Sequence, residues 1–174
     1  MSADLPAVYL AIGSNLGDRE RNIAVALRRL APLAQVQAVS SLYETDPVPE
    51  GQPPYLNAAC RVLTGLQPKA MLRHIKEVER ELGRRGGERW GPRPIDIDLL
   101  LYGDLTIEED GLRLPHEGLA ERAFVLVPLA DIAPDVRHPT LSRSVRELAE
   151  ATDRSSVRLR AEAGWETRWP SPPA

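Results

Sequence analysis

The run Arg89-Trp90-Gly91-Pro92-Arg93-Pro94-Ile95-Asp96-Ile97-Asp98-Leu99-Leu100-Leu101-Tyr102 can fold in few ways. Pro92 and Pro94 fix φ at two positions and remove two backbone donors, so its first part is a stiff loop. From Ile95 onward a strand's period of two puts Ile95, Ile97, Leu99 and Leu101 on one face. Asp96 and Asp98 then stand on the other face with Leu100 and Tyr102, the carboxylates about 7 Å apart along the strand. Like charges so close repel unless a cation lies between them or water covers both. Arg93 and Arg89 stand just upstream. A carboxylate pair able to hold Mg²⁺, flanked by guanidinium groups, suits a polyphosphate substrate. The solvated side of a half-buried sheet is the plain alternative. The stiff loop, Trp90 between the arginines, and Leu100 and Tyr102 further along the face weigh against it.

Length and composition narrow the classes. A chain of 174 residues is long enough for one domain with a proper core. A hydrophobic fraction of 43% with 27% charged residues fits a globular protein rather than a disordered one. A net charge of −3 gives no global excess of positive charge, which argues against broad nucleic-acid binding. Cys60 is the only cysteine, so no intrachain disulfide forms and a reducing cytoplasm is the expected setting. Asp4 stands where the basic region of a secretory leader would be, and no apolar run reaches the length of a bilayer span.

Residues 7–12 are continuously apolar, as in a strand buried on both faces. In Gly13-Ser14-Asn15-Leu16-Gly17-Asp18 no Lys-Ser or Lys-Thr pair completes a P-loop, and a strand-to-helix turn with Asp18 as N-cap suffices. A helix is expected over 19–30, with Ile23, Ala26, Leu27 and Leu30 on one face. Residues 36–45 read as a second strand. Residues 46–54 form a Pro-rich loop of a length that often closes over a site. Residues 55–62 read as a third strand, with Leu56, Ala58, Cys60 and Val62 on one face and Tyr55, Asn57, Ala59 and Arg61 on the other. An aromatic ring and an amide together at the mouth of that loop suit a flat heterocycle.

Pro68 at N1 opens a second helix over 69–82, with Met71, Ile75, Val78 and Leu82 inward, Gly83 as C′, and Glu77 and Glu79 off the stripe. Residues 84–89 make a cationic loop that Gly86 and Gly87 loosen, suited to closing over an anion. Residues 105–107 and 112–114 are short extended pieces between turns. Residues 122–129 fit helix or strand, and Pro128 argues against a central strand. A short helix is expected over 140–151 with Leu141, Val145 and Leu148 inward. His74 and His138 have no obvious partners, and no metal-spaced His/Cys cluster exists. Val157 and Leu159 alternate, and a Pro-rich tail over 165–174 follows with no assigned role.

Four collinear stretches together resemble the 6-hydroxymethyl-7,8-dihydropterin pyrophosphokinases of folate biosynthesis. They are Leu10-Ala11-Ile12-Gly13-Ser14-Asn15-Leu16-Gly17; Tyr43-Glu44-Thr45 with Tyr55-Leu56-Asn57-Ala58-Ala59; the run from Arg89 on to Gly103; and Leu114-Pro115-His116 with Arg122-Ala123-Phe124-Val125-Leu126-Val127-Pro128-Leu129. The resemblance implies an α+β, ferredoxin-like sandwich, with helices packed on a mainly antiparallel sheet. It implies transfer of the β,γ-diphosphate of ATP, the co-substrate, to the pterin hydroxymethyl group, giving AMP. It implies two Mg²⁺ ions with Asp96 and Asp98 as ligands, and a catalytic set of Arg84, Arg93, Asp96 and Asp98. Tyr55 and Phe124 then sandwich the pterin, while Thr45, Asn57 and the backbone near Val48 bond its edge. Glu79, Arg84, Trp90, Arg93, His116 and Arg122 contact ATP and its phosphates.

The expected organisation is one pyrophosphokinase domain over 1–153 and a C-terminal extension over 154–174. Small-molecule substrates are the expected partners, with no nucleic acid or membrane, in a cytoplasmic monomer. The chain departs from the family pattern at three places. Its 84–88 loop is one residue shorter, with Gly86-Gly87 where a second basic residue is common, which bears on the role of Arg85. Lys76 stands where Gln is frequent, and Glu117 where Pro is common. An effect on loop closure and rate is expected, not on reaction type. Two other classes fit parts of the sequence: a ferredoxin-like RNA-binding module presenting Tyr55, and a metal-dependent phosphohydrolase using Asp96 and Asp98. An inactive paralogue ranks below both because the two carboxylates are present.

Overall fold

The computed structural model describes residues 4–84 and 91–169. Strand β1 spans Ala7–Ser14 and is buried on both faces. Helix α1 follows at Arg19–Leu30, and Asp18 caps it by accepting the Arg21 N–H at 3.2 Å. Strands β2 (Gln35–Val39), β3 (Leu42–Thr45) and β4 (Tyr55–Leu63) come next. Helix α2, Pro68–Glu81, starts with Pro at N1. Gly83 follows it in the left-handed region at φ +90°, which a side chain would strain. Strand β5 is Asp96–Tyr102, and β6 (Ile107–Glu109) pairs with β7 (Leu112–Leu114) as a separate hairpin. Helices α3 (Ala123–Ile132) and α4 (Val145–Glu150) precede β8 (Val157–Ala161) and a 3₁₀ turn at Trp165–Arg168.

The main sheet runs β5-β1-β4-β3-β8, with β2 also on β4, and each pairing is antiparallel. The chain order β1-α1-β3-β4-α2-β5 on that sheet is the ferredoxin-like arrangement. One face packs Val8, Leu10, Ile12, Leu56, Ala58, Cys60 and Val62 against Ile23, Leu27 and Leu30 of α1 and Met71, Ile75 and Val78 of α2. Each such fully buried Leu or Ile contributes about 1.5–3 kcal/mol. The other face packs Tyr9, Ala59, Leu100 and Leu101 against Val125, Leu126 and Leu129 of α3 and Val145 and Leu148 of α4. Residues 122–129 fitted helix or strand on sequence because α3 is apolar nearly all round, lying between the sheet and α4.

Several sequence expectations change. Residues 36–45 are two strands rather than one. Ser40, fully buried, interrupts them: its N–H donates to the Ala59 carbonyl at 2.9 Å and its Oγ accepts the Ala59 N–H at 2.8 Å. In β5 a bulge opposes two residues to one, because Leu10 pairs with Leu99 while Tyr9 pairs with Leu101. The alternation therefore changes phase at Leu100. Ile95, Ile97 and Leu99 face α1 and α2 as expected, but Leu101 joins the α3 side and Tyr102 rejoins the α1 and α2 side. Helix α4 begins only at Val145, behind a capping box of Ser144 and Glu147, and Leu141 is exposed.

His74 Nε2 lies 3.1 Å from the Leu30 carbonyl, and His138 Nδ1 accepts the Thr140 N–H at 3.3 Å, so both have partners. The division drawn at Asp153 corresponds to no break in packing. Strand β8 pairs with β3 from Thr45–Val157 to Leu42–Ala161. Trp165 is 1% exposed in the α1 and α2 core and donates its indole N–H to the Ser40 carbonyl at 3.0 Å.

Candidate functional site

Helices α3 and α4 cover the second face of the sheet beneath Tyr9, Ala59, Leu100 and Leu101, with Ala7 and Ala11 packed alongside. Further along the same strands that face carries Thr45, Tyr55 and Asn57, then Gly13, then Asp96 and Asp98. The register fixes this order, because Asn57 pairs with Gly13 and Gly13 with Asp96. Gly13 has no room for a side chain: a Cβ there would lie 2.6 Å from Asn57 Oδ1. Asn57 is thereby free to cross towards β3, where its Nδ2 donates to Thr45 Oγ1 at 2.7 Å.

Asp96 is the electrostatic centre of the other half. Its Oδ1 accepts from Arg84 at 2.9 Å and from Arg93 at 3.3 Å. Arg84 also pairs with Glu79 at 2.5 Å, and Lys76 pairs with the same Glu79 oxygen at 3.3 Å. Glu79, read from sequence as lying off the apolar stripe, is buried all the same. Its second oxygen accepts the Ile97 N–H at 2.8 Å, tying α2 to the outer edge of β5. A buried carboxylate is tolerable only when paired in this manner.

Asp98 faces His116, whose Nε2 lies 3.7 Å away. The His116 Nδ1 accepts the Gly118 N–H at 3.0 Å, so the hydrogen-bond network assigns the ring proton to Nε2, towards Asp98. Burial holds the Asp98 carboxyl above the usual carboxylate range. Asp96 adds to that rise, and His116 and Lys76 offset part of it. Burial likewise raises the Tyr55 phenol; Asp96 raises it further, while Arg93 and Arg84 lower it, so its ring stands within the field of the Asp96 cluster.

Arg122 and Phe124 open α3. A Cβ on Gly118 would lie 2.5 Å from Arg122 Nε, so the guanidinium lies across that glycine. Its centre is 5.9 Å from the Phe124 ring centroid, within the range of a cation–π contact.

The structure therefore gathers Glu79, Arg84, Arg93, Asp96, Asp98 and His116 into one cluster, places Thr45, Tyr55 and Asn57 on the same sheet face, and joins Arg122 and Phe124 to His116 through Gly118. Val48 is not brought to the cluster. It is 75% exposed on the Pro-rich loop, beside an open cleft of about 670 Å³ that residues 46–51 line. Trp90, with Arg85 and Arg89, lies outside the described residues. Sequence reasoning missed Gly13. The Gly-Ser-Asn turn was the available signal, and the absence of a P-loop lysine drew attention away from it.

Among the described residues no group of three or more His, Cys, Asp or Glu side chains could hold a metal ion. The Asp96 and Asp98 pair offers hard oxygen donors. That fits Mg²⁺, which takes one or two carboxylates and completes its shell with water and phosphate oxygens.

The family described as 7,8-dihydro-6-hydroxymethylpterin-pyrophosphokinase matches residues 9–134. A 2-amino-4-hydroxy-6-hydroxymethyldihydropteridine pyrophosphokinase of Bacillus subtilis is 43% identical over 154 residues, which are 87% of this chain and 88% of that protein. A protein of the same name from Aquifex aeolicus is 40% identical over 82% of this chain and 90% of its own length. The folic acid synthesis protein FOL1 of Dictyostelium discoideum is 47% identical over 77% of this chain, which spans only 20% of that longer protein. The crystal structure of wild-type Plasmodium falciparum HPPK-DHPS shares the fold, with a TM-score of 0.68 at 18% identity over 84% of this chain and 44% of that one. With the family match spanning most of the sequence and two relatives covered nearly end to end, this chain belongs to the 7,8-dihydro-6-hydroxymethylpterin pyrophosphokinase family.

Proposed function

We propose that this protein transfers the β,γ-diphosphate of ATP to the hydroxymethyl oxygen of 6-hydroxymethyl-7,8-dihydropterin, releasing AMP, as a step of folate synthesis. The observation that carries this reading is a juxtaposition on one sheet face of a family member. A carboxylate pair with two arginines stands beside a buried amide and an aromatic ring.

Asp96 and Asp98 would hold two Mg²⁺ ions, which when bound neutralise phosphate charge and help the acceptor hydroxyl ionise. The remaining work is positioning and charge complementarity, as expected for phosphoryl-type transfer. Arg84 and Arg93 exchange their bonds to Asp96 for bonds to the diphosphate oxygens. Glu79 keeps Arg84 aimed at the site, and with Trp90, His116 and Arg122 it completes the nucleotide side. Thr45 holds the Asn57 amide so that its remaining polar capacity faces the pterin edge. Tyr55 and Phe124 stack the ring, and the backbone near Val48 closes over it once the Pro-rich loop moves inward.

A cytoplasmic monomer acting on small molecules is consistent with this reading; no helix among the described residues is long and apolar enough to cross a membrane. Phosphorus NMR of the reaction mixture tests the proposal. AMP and a pterin diphosphate in equal amounts are expected. ADP or inorganic phosphate formed without the pterin would identify a phosphohydrolase instead.

A further inference from the structure

Helix α3 carries Phe124 near its start and Asp131 near its end. The two are separated by about two helical turns, so they stand on one stripe, about 10 Å apart along the axis. Little inside the helix settles where that stripe points. Asp131 is the only polar side chain from Ala123 to Ile132, and burial of the apolar remainder is non-directional. Pro128 lacks the N–H that the Phe124 carbonyl would accept in a regular helix, so the ladder is interrupted at Phe124 as well.

Asp131 has an external partner instead. A carboxylate in the last turn of a helix opposes the helix dipole, so it gains nothing from its own element. Its Oδ2 accepts the Tyr43 hydroxyl at 2.7 Å and the Ser41 N–H at 3.3 Å. Ser41 lies in the break between β2 and β3, and Tyr43 lies in β3 itself. Burial raises the Tyr43 phenol above its ordinary range. The bond to Asp131 and the charges of Asp131 and Glu162 add to the rise, and Arg154 offsets part of it, so the hydroxyl remains a donor at neutral pH. In the register Tyr43 pairs with Asn57, and Thr45 with Tyr55. The strand that Asp131 grips is therefore the one that lies against both pterin-side residues of β4.

We propose that Tyr43 and Asp131 are positioning residues for the pterin: by fixing the slide and rotation of α3 on β3, they set the gap between Phe124 and Tyr55 that receives the ring. Both act through Phe124 rather than on the substrate. The inference rests on the pyrophosphokinase reading, in which Phe124 and Tyr55 stack the pterin.

Phe124 is the only phenylalanine of the chain, so labelling with 4-fluorophenylalanine puts a single ¹⁹F nucleus at that position. The test is ¹⁹F NMR of labelled wild type, Asp131→Ala, Tyr43→Phe and Asp131→Asn, with Mg²⁺ and a non-hydrolysable ATP analogue, before and after addition of 6-hydroxymethyl-7,8-dihydropterin. Steady-state kinetics and urea denaturation accompany it. The wild-type resonance is expected to shift when the pterin is added. Asp131→Ala and Tyr43→Phe should move or broaden the resonance before the pterin is added, and raise the pterin KM about fivefold or more while the ATP KM stays within about twofold. Asp131→Asn keeps an acceptor oxygen for both donors and should return both readouts to near wild type. A clasp that only stabilises the fold would lower the urea midpoint and leave the resonance and the ratio of the two KM values unmoved. That result, or an equal rise in both KM values, would overturn the positioning role and leave the pyrophosphokinase reading intact. A wild-type resonance that the pterin leaves unmoved would overturn the stacking that the reading assigns to Phe124, and the inference with it.

Discussion

At Asp98 the needs of the fold and of the site oppose each other. Its folded pKa lies above the unfolded value because burial and Asp96 disfavour the charge. Relative to the unfolded chain, the native state disfavours the charged form. The stability this gives is fully present below the unfolded pKa and is lost as pH rises through the raised folded pKa. At neutral pH in EDTA, Asp98→Asn is expected to raise the thermal midpoint above wild type while abolishing turnover. Differential scanning calorimetry at pH 7.5 and again near pH 3 checks this, since the gain should shrink at the lower pH.

Gly13 carries the opposite liability. Its Cβ position lies 2.6 Å from Asn57 Oδ1, so Gly13→Ala must displace a buried amide bonded to Thr45. Overpacking of this kind costs about 1–3 kcal/mol. Urea denaturation should register that loss, and the pterin KM should rise because Asn57 moves.

At the scale of elements, the carboxy-terminal segment completes the core. Among the described residues Trp165 is the largest fully buried side chain, and it fills the space between α1 and the Ser40 break between β2 and β3. Trp165→Ala is expected to cost about 3–5 kcal/mol, read as a lower denaturation midpoint. Truncation after Asp153 would also strip β8 from β3 and leave a bare sheet edge prone to association.

The elements differ in how openly the sequence announces them. Helices α1 and α2 were legible because each carries its own boundary signals, Asp18 before α1 and Pro68 and Gly83 around α2, beside a clear apolar stripe. The bulge at Leu100 was not, because three consecutive leucines satisfy either phase of a strand. The break at Ser40 was hidden for a similar reason: a buried serine reads as an ordinary polar position until its partners on Ala59 are known. The Asp96 and Asp98 pair was legible because both lie before the bulge. The role of Glu79 was not, because its partner Ile97 is 18 residues away and only folding brings α2 alongside β5.

For the molecule as a whole, one sheet serves two purposes. Its first face and half of its second are dry core. The remaining half carries polar groups whose burial the core supports, Thr45 and Asn57, and Glu79 of α2 stands at its edge; each is 9% exposed or less. Such groups are costly unless satisfied, and each has a fixed partner in place before any substrate arrives. This is the pre-organisation that a transfer reaction without covalent participation by the protein requires.

The measurement that bears most directly on this account is AMP release from MgATP with and without 6-hydroxymethyl-7,8-dihydropterin, for the wild type, Asp96→Ala and Asp98→Ala. AMP formed only when the pterin is present, and reduced about a thousandfold or more in both variants, is the expected result. AMP formation that ignores the pterin, or that survives loss of either carboxylate, would contradict it.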